Sequence, residues 1–202
     1  MRATILRAYI GDPHMNLRNF SRLTVVAIVS LGLAACGINS VPTAEENAKA
    51  KWADVEASFQ ARANLLPNIE AIVKGAAANE SDILKGVTEA RAKAGSVQMT
   101  ADDLNDPAKM EAFAEAQSAL GSGLSRLFAT VESYPNIASN DNFVMAQGQI
   151  EGIENKIRIS IKDYNEAVRG YNTTIRTFPD TIGANIIHGA EPMAPYTAVT
   201  EG

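Results

Sequence analysis

Apolar residues recur in steps of three and four along almost all of this chain beyond residue 44. Nowhere do they settle into the strict alternation of a half-buried strand. Trp52, Val55, Phe59, Leu66, Ile69, Val73 and Ala76 form one stripe, whose single gap of seven skips Arg62. The register continues through Ile83, Val87, Ala90 and Ala94, skipping Glu80. Met110, Phe113, Leu120, Leu124, Leu127, Val131 and Tyr134 form another. A third runs through Phe143, Ile150, Ile153, Ile157, Ile161, Tyr164, Val168, Tyr171, Ile175 and Phe178, drifting off a strict heptad between 153 and 164. Helices this long with an apolar face must bury it on one another. The fold expected is therefore all-α, an antiparallel up-and-down bundle of about four long helices.

Local signals place the helix ends. Thr43-Ala44-Glu45-Glu46 has the form of a capping box, in which the Thr43 hydroxyl and the Glu46 carboxylate serve each other's free backbone N–H groups. Pro67 lies inside the first stripe and should kink it, since it lacks an N–H and crowds the preceding turn. Residues 44–94 form either one very long helix or two, with a turn at the polar stretch 79–82. Residues 95–106 read as a loop. Asp106-Pro107 restarts a helix with an acidic N-cap and Pro in the first turn. Pro135 stops that helix, Asp141 caps the next and Pro179 ends it. Residues 181–202 show no period, carry Pro192 and Pro195, and read as a loosely packed, irregular tail.

The N-terminus reads as an address. Residues 23–35 carry no charge and end in small residues, with Arg18 and Arg22 just before them, the pattern of a secretory signal. The run is too short for a comfortable membrane-spanning helix of roughly 20 apolar residues. The sole cysteine falls at its end, in Leu33-Ala34-Ala35-Cys36, and this resembles the lipobox of bacterial lipoproteins. There the thiol is alkylated with diacylglycerol, the chain is cut before it, and the new amine is acylated. Residues 1–35 are thus expected to be a signal, with 1–14 an extension upstream of a more typical start at Met15. Residues 36–43 form a tether, 44–180 the bundle and 181–202 the tail. An uncleaved anchor is the alternative. Cleavage would remove four arginines and Asp12, taking the net charge from −5 to −8.

Composition excludes several functions. One cysteine cannot support a disulfide framework or a Cys-rich metal site. With His14 in the leader, His188 alone would remain, which speaks against His-based metal sites and Ser-His or Cys-His catalysis. The acidic balance argues against nucleic acid. Glu111 with Glu115, and Glu151 with Glu154, sit at helical spacing but lack the Glu-x-x-His pairs of a di-iron bundle. No metal, cofactor or small-molecule substrate is expected. Gly121-Ser122-Gly123 lies within a helical pattern and reads as a point of close helix approach.

Two steps stand out in the last helix, Tyr164-Asn165 and Tyr171-Asn172, seven residues apart. Both tyrosines fall on the apolar stripe. Asn165 and Asn172 fall beside it, in phase with Glu151 and Arg158. Asparagine is a poor helix residue, so its placement there needs a reason. One reading is a polar layer fixing bundle register. The other is a recognition stripe of Glu151, Arg158, Asn165 and Asn172 for a partner protein.

Several strings together resemble the LemA family over roughly residues 45–180. They are Trp52, Arg62-Ala-Asn-Leu-Leu-Pro-Asn68, Val87-Thr-Glu-Ala-Arg-Ala-Lys-Ala94, Glu132-Ser-Tyr-Pro-Asn136, Glu151-Gly-Ile-Glu-Asn155, the two Tyr-Asn steps and Phe178-Pro179. The resemblance implies a four-helix bundle on an N-terminal membrane attachment, with no catalytic residues. Typical members carry basic residues where Ile161-Lys162 stand, and many use an uncleaved anchor, so this chain departs at Ile161 and at Cys36. The function expected is a non-enzymatic lipoprotein of the cell envelope. It would be held to membrane lipid through acylated Cys36 and would dock or scaffold an envelope protein. A regulatory subunit of a membrane protease or envelope-remodelling enzyme is the alternative.

Overall fold

A computed structural model describes the backbone of residues 17–76 and 81–198, and the side chains of 39–75 and 84–198. The chain is all-α, and no strand occurs among the described residues. Four long helices are α1 (Leu17–Ala76), α2 (Ser81–Ser96), α3 (Pro107–Val131) and α5 (Asp141–Thr174). Short turns complete the fold: α4 (Pro135–Ala138), α6 (Asp180–Gly183), a 3₁₀ turn at Ala101–Asp103 and a π-helical turn at Ala184–His188. Residues 44–94 thus belong to two helices, broken near the polar stretch.

The helices alternate in direction. Arg62 of α1 reaches Glu154 of α5 and Trp52 packs on Tyr164, so α1 and α5 run antiparallel. A Cβ on Gly123 of α3 would touch Val87 of α2 while Lys93 pairs with Glu115, so α2 and α3 run antiparallel too. The stripes read from the sequence are the core. Phe59, Leu124 and Ile157 are all buried, as are Trp52, Leu66, Ile69, Val87, Leu120 and Leu127.

Several helix ends differ from the sequence reading. The backbone of α1 is already helical from Leu17, so Thr43 is not an N-cap; its hydroxyl donates to the Asn39 carbonyl one turn back at 2.6 Å. Pro42 and Pro67 both lie within α1 without ending it, and Pro67 faces solvent, where water can hydrate the carbonyl left without an N–H partner. Asp106 does cap α3, accepting from the N–H groups of Ala108 and Lys109. That helix ends at Val131, before Pro135, which instead opens α4. Asn140, not Asp141, caps α5 by accepting from the Asn142 and Phe143 amides. Phe178, placed on the apolar stripe by its spacing, lies beyond the end of α5 and is 70% exposed.

Among the described residues the apolar interior divides into two clusters. One gathers Val41, Trp52, Phe59, Met110, Phe113, Tyr164 and Tyr171 with Met193 and Tyr196 of the tail. The other gathers Leu66, Ile69, Val87, Leu120, Leu124, Phe143 and Ile150. Between them runs a polar layer. Ser58 and Ser160 hydrogen-bond at 3.1 Å, and buried Arg62 spans from α1 to α3 and α5. Its guanidinium donates to Glu154 Oε1 at 2.9 Å, to Gln117 Oε1 at 2.6 Å and to the Gln117 carbonyl at 3.1 Å, and it lies 5.1 Å from the Phe59 ring centroid. The residue that interrupts the first stripe is thus the one that crosses the bundle.

Candidate functional site

The tail runs antiparallel to α5 and is held there by the two Tyr-Asn steps. The Tyr171 hydroxyl donates to the Glu191 carbonyl at 3.0 Å, and Tyr164 to the Ala194 carbonyl at 2.8 Å. Asn172 closes a two-bond ring with Met193: its amide donates to the Met193 carbonyl and its oxygen accepts from the Met193 N–H, both at 2.9 Å. Asn165 does the same with Tyr196 at 2.9 and 2.8 Å. Contacts seven residues apart on the helix meet contacts three apart on the tail. Seven helical residues rise about 10.5 Å, a span that three residues reach only when nearly extended. The tail sequence suits this. Glu191-Pro192-Met193 and Ala194-Pro195-Tyr196 repeat in threes, and each proline presets its own φ while adding no N–H that needs a partner. Two further tail amides find backbone partners, Ala190 donating to the Ala184 carbonyl at 3.0 Å and Ala194 to the Leu104 carbonyl at 2.8 Å.

This corrects two expectations. Residues 189–198 have no regular secondary structure, but they are not loosely packed: Met193, Ala194 and Tyr196 are buried against the bundle. Nor do Asn165 and Asn172 form a bundle-register layer or an open stripe with Glu151 and Arg158. Both are half-buried and their amides are taken up by the chain's own tail, because an extended strand with unpaired peptide groups is what a helix-borne carboxamide matches best. Glu151 and Arg158 stay exposed and bond locally, to Gln147 and Asn155. Tyr164 and Tyr171 are covered, as expected under either reading. The signal that foretells the clasp is the pairing of a heptad Tyr-Asn repeat with a tripeptide Pro repeat, each unremarkable alone.

Burial shifts the phenols of the clasp. It pushes Tyr164 above the usual tyrosine range and Tyr171 in the same direction. Tyr196, packed on Phe59 and Phe113, is pushed up to about 12 by burial, against the opposing pull of Arg62. At neutral pH all three keep their protons, as donation by the Tyr164 and Tyr171 hydroxyls requires.

Elsewhere, α1, α2 and α3 bound an open cleft of about 370 Å³ whose lining includes Glu56, Asn64, Arg91 and Gln98. Arg91 is turned to Glu70 at 3.6 Å, and the lining brings no nucleophile together with a base. Among the described residues no group of three or more His, Cys, Asp or Glu side chains could hold a metal ion. Gly121 and Gly123 lie where α3 faces Arg62 and Ala90, but added Cβ atoms would stand at 3.6 and 3.8 Å, an ordinary contact.

The backbone of residues 33–36 belongs to α1, while the side chains of Leu33, Ala34, Ala35 and Cys36 lie outside those described. Among the described residues no helix is long and apolar enough to cross a membrane. The bundle begins at once beyond this segment. Val41 is fully buried and the Ser40 hydroxyl donates to Asp180 Oδ1 at 2.7 Å, so residues 40–43 are part of the packed domain and not of a tether.

Fold and site define an all-α bundle whose C-terminal segment is clasped along its last long helix. The chain belongs to the LemA family, which it matches over residues 51–202. Over 175 residues it is 29% identical to the magnetosome proteins MamQ 1 and MamQ 2 of Paramagnetospirillum magneticum, covering 79% of this chain and 64% of each relative. It is 26% identical, with the same coverage, to magnetosome protein MamQ of Magnetospirillum gryphiswaldense. The chain thus spans a little under two thirds of the length of these curated relatives.

Proposed function

We propose that this protein is a non-enzymatic helical module of the bacterial cell envelope, attached to a membrane at its N-terminus and serving to dock or scaffold other envelope proteins. The observation that carries this reading is the continuity of α1. One helical backbone passes through Leu33-Ala34-Ala35-Cys36 into the bundle, and among the described side chains Val41, five residues past the cysteine, is already fully buried. Acylation at Cys36 would hold the domain within one or two helical turns of the lipid surface. Several acyl chains at one residue give stable attachment, each buried CH₂ contributing about 0.8 kcal/mol. Likeness to magnetosome proteins supports association with a membrane. Gly37, in place of aspartate after the cysteine, fits onward sorting to the periplasmic face of the outer membrane in a two-membrane bacterium. Exposed Glu151 and Arg158 remain as candidate contacts for an envelope partner.

Intact-mass analysis of the protein extracted from membranes tests the attachment. The expected result is loss of residues 1–35 and a gain of acyl mass on Cys36. A Cys36→Ala chain that stays membrane-bound with its N-terminus intact would overturn the lipoprotein reading in favour of an uncleaved anchor. Pulldown from detergent-solubilised membranes tests the docking role, and loss of captured envelope proteins in a Glu151→Ala/Arg158→Ala chain is the expected outcome.

A further inference from the structure

Four large apolar side chains stand exposed around α6 and the π-helical turn: Phe178 at 70%, Ile182 at 50%, Ile186 at 79% and Ile187 at 57%. A soluble surface seldom gathers so many in ten residues. From Thr177 to Ala190 the only ionisable side chains are Asp180 and His188, and Asp180 is engaged by Ser40. The inner side of this segment is already satisfied, since Gly183 and Ala184 pack into the bundle. The isoleucines are therefore left over after folding, not core residues waiting for a place.

Their position says what covers them. The Ser40–Asp180 hydrogen bond fixes α6 beside α1 at the point where α1 leaves the bundle. Cys36 is four residues further back, about 6 Å along a helix. The uncharged run 23–35 precedes it. The patch and the attachment segment thus share one end of the molecule. Among the described residues, the other exposed large apolar side chains lie away from it. Val144 and Met145 are near the start of α5, about 45 Å along that helix from its end beside α6, and Ile159 stands alone midway.

We propose that Phe178, Ile182, Ile186 and Ile187 insert into the lipid surface to which residues 23–36 attach the chain, forming a second contact that holds the bundle base-down on the bilayer. The inference rests on the membrane attachment proposed above. An amphipathic segment of this kind lies in the interface plane with its apolar side chains sunk among the headgroups and upper acyl chains. Two contacts at one end orient the domain, where a single acylated residue would leave it free to swivel. The absence of lysine and arginine in the segment makes the contact one of apolar insertion, insensitive to salt, and not of attraction to anionic lipid.

The test uses the full chain, extracted from membranes and reconstituted in phosphatidylcholine–phosphatidylglycerol vesicles whose acyl chains are brominated. Trp52 is buried in the bundle and serves as the unquenched internal reference. Ile186→Trp, and separately Phe178→Trp, should add emission that brominated lipid quenches and that high salt does not restore, while Val144→Trp should add emission that it does not quench. Circular dichroism checks that each variant is folded. Flotation with the vesicles reports attachment independently. A chain that floats while the emission added by both Ile186→Trp and Phe178→Trp stays unquenched overturns the patch contact and leaves the anchor intact. Equal quenching of the Val144→Trp emission means that the domain lies flat, and also overturns it. A chain that fails to float overturns the anchor and this proposal together.

Discussion

Asn172 and Met193 exchange two hydrogen bonds of 2.9 Å, so a helix side chain treats a tail residue as a strand would treat its neighbour. Asn165 and Tyr196 repeat the arrangement three tail residues on. A carboxamide is the one uncharged side chain that offers donor and acceptor side by side. This explains why two poor helix formers stand in the C-terminal half of a 34-residue helix.

Replacing either asparagine with alanine removes two hydrogen bonds and strands a peptide N–H and C=O. With each bond contributing about 0.5–1.5 kcal/mol, Asn165→Ala or Asn172→Ala should cost about 1–3 kcal/mol of tail docking. The opening is local, so amide exchange at Met193 and Tyr196 should accelerate and a protease should gain access to residues 189–198, while the helices stay protected. Unchanged exchange in the double variant would show that the tail is held by apolar burial alone.

The raised phenols make stability fall at high pH. Unfolded tyrosine ionises near 10, whereas Tyr196 holds its proton to about 12, and Tyr164 and Tyr171 are shifted the same way. Their contribution is fully present below pH 10. From there upward the unfolded chain releases protons that the folded chain keeps, so unfolding becomes easier as pH rises. Denaturant midpoints should be flat from pH 8 to 10 and fall between 10 and 12. The fall should shrink in Tyr196→Phe.

Arg62 holds three helices through charge-assisted bonds, but its partner Glu154 is about one-third exposed and can be rehydrated. Arg62→Ala should therefore cost about 2–4 kcal/mol, below the upper end for breaking a fully buried pair. Arg62→Met combined with Glu154→Gln should recover much of this, because a flexible apolar chain fills the space and no uncompensated charge remains. Thermal melts of the single and double variants decide the point. A double variant no more stable than Arg62→Ala would mean that the Gln117 bonds carry the layer.

Core truncations test the packing directly. Leu124→Ala, at 2% exposure, should cost about 2–5 kcal/mol, and Phe59→Ala about 3–5. Ile159→Ala, on the exposed face of α5, should stay within about 0.5 kcal/mol of the parent. Chemical denaturation that ranks Ile159→Ala with the other two would place the seam of α5 on the wrong side.

The helix content, the buried faces and the order of the long helices follow from the sequence, because the three-and-four spacing of residues such as Phe59, Leu124 and Ile157 is a local geometric fact about any helix. So does the Asp106 cap, whose carboxylate bonds amides two and three residues away. Helix ends decided by distant contacts do not follow. Thr43 has the right neighbours for a cap, yet lies inside α1. Phe178 has the right spacing for the core, yet α5 has ended and the chain has turned to meet Ser40. The same holds for the tail and for Arg62. Asn172 lies 21 residues from Met193 and Arg62 lies 92 from Glu154. Such pairs form only when packed helices bring separate parts of the chain to one place. A polar residue on a helix announces that it needs a partner, but only the tertiary structure decides which partner it finds.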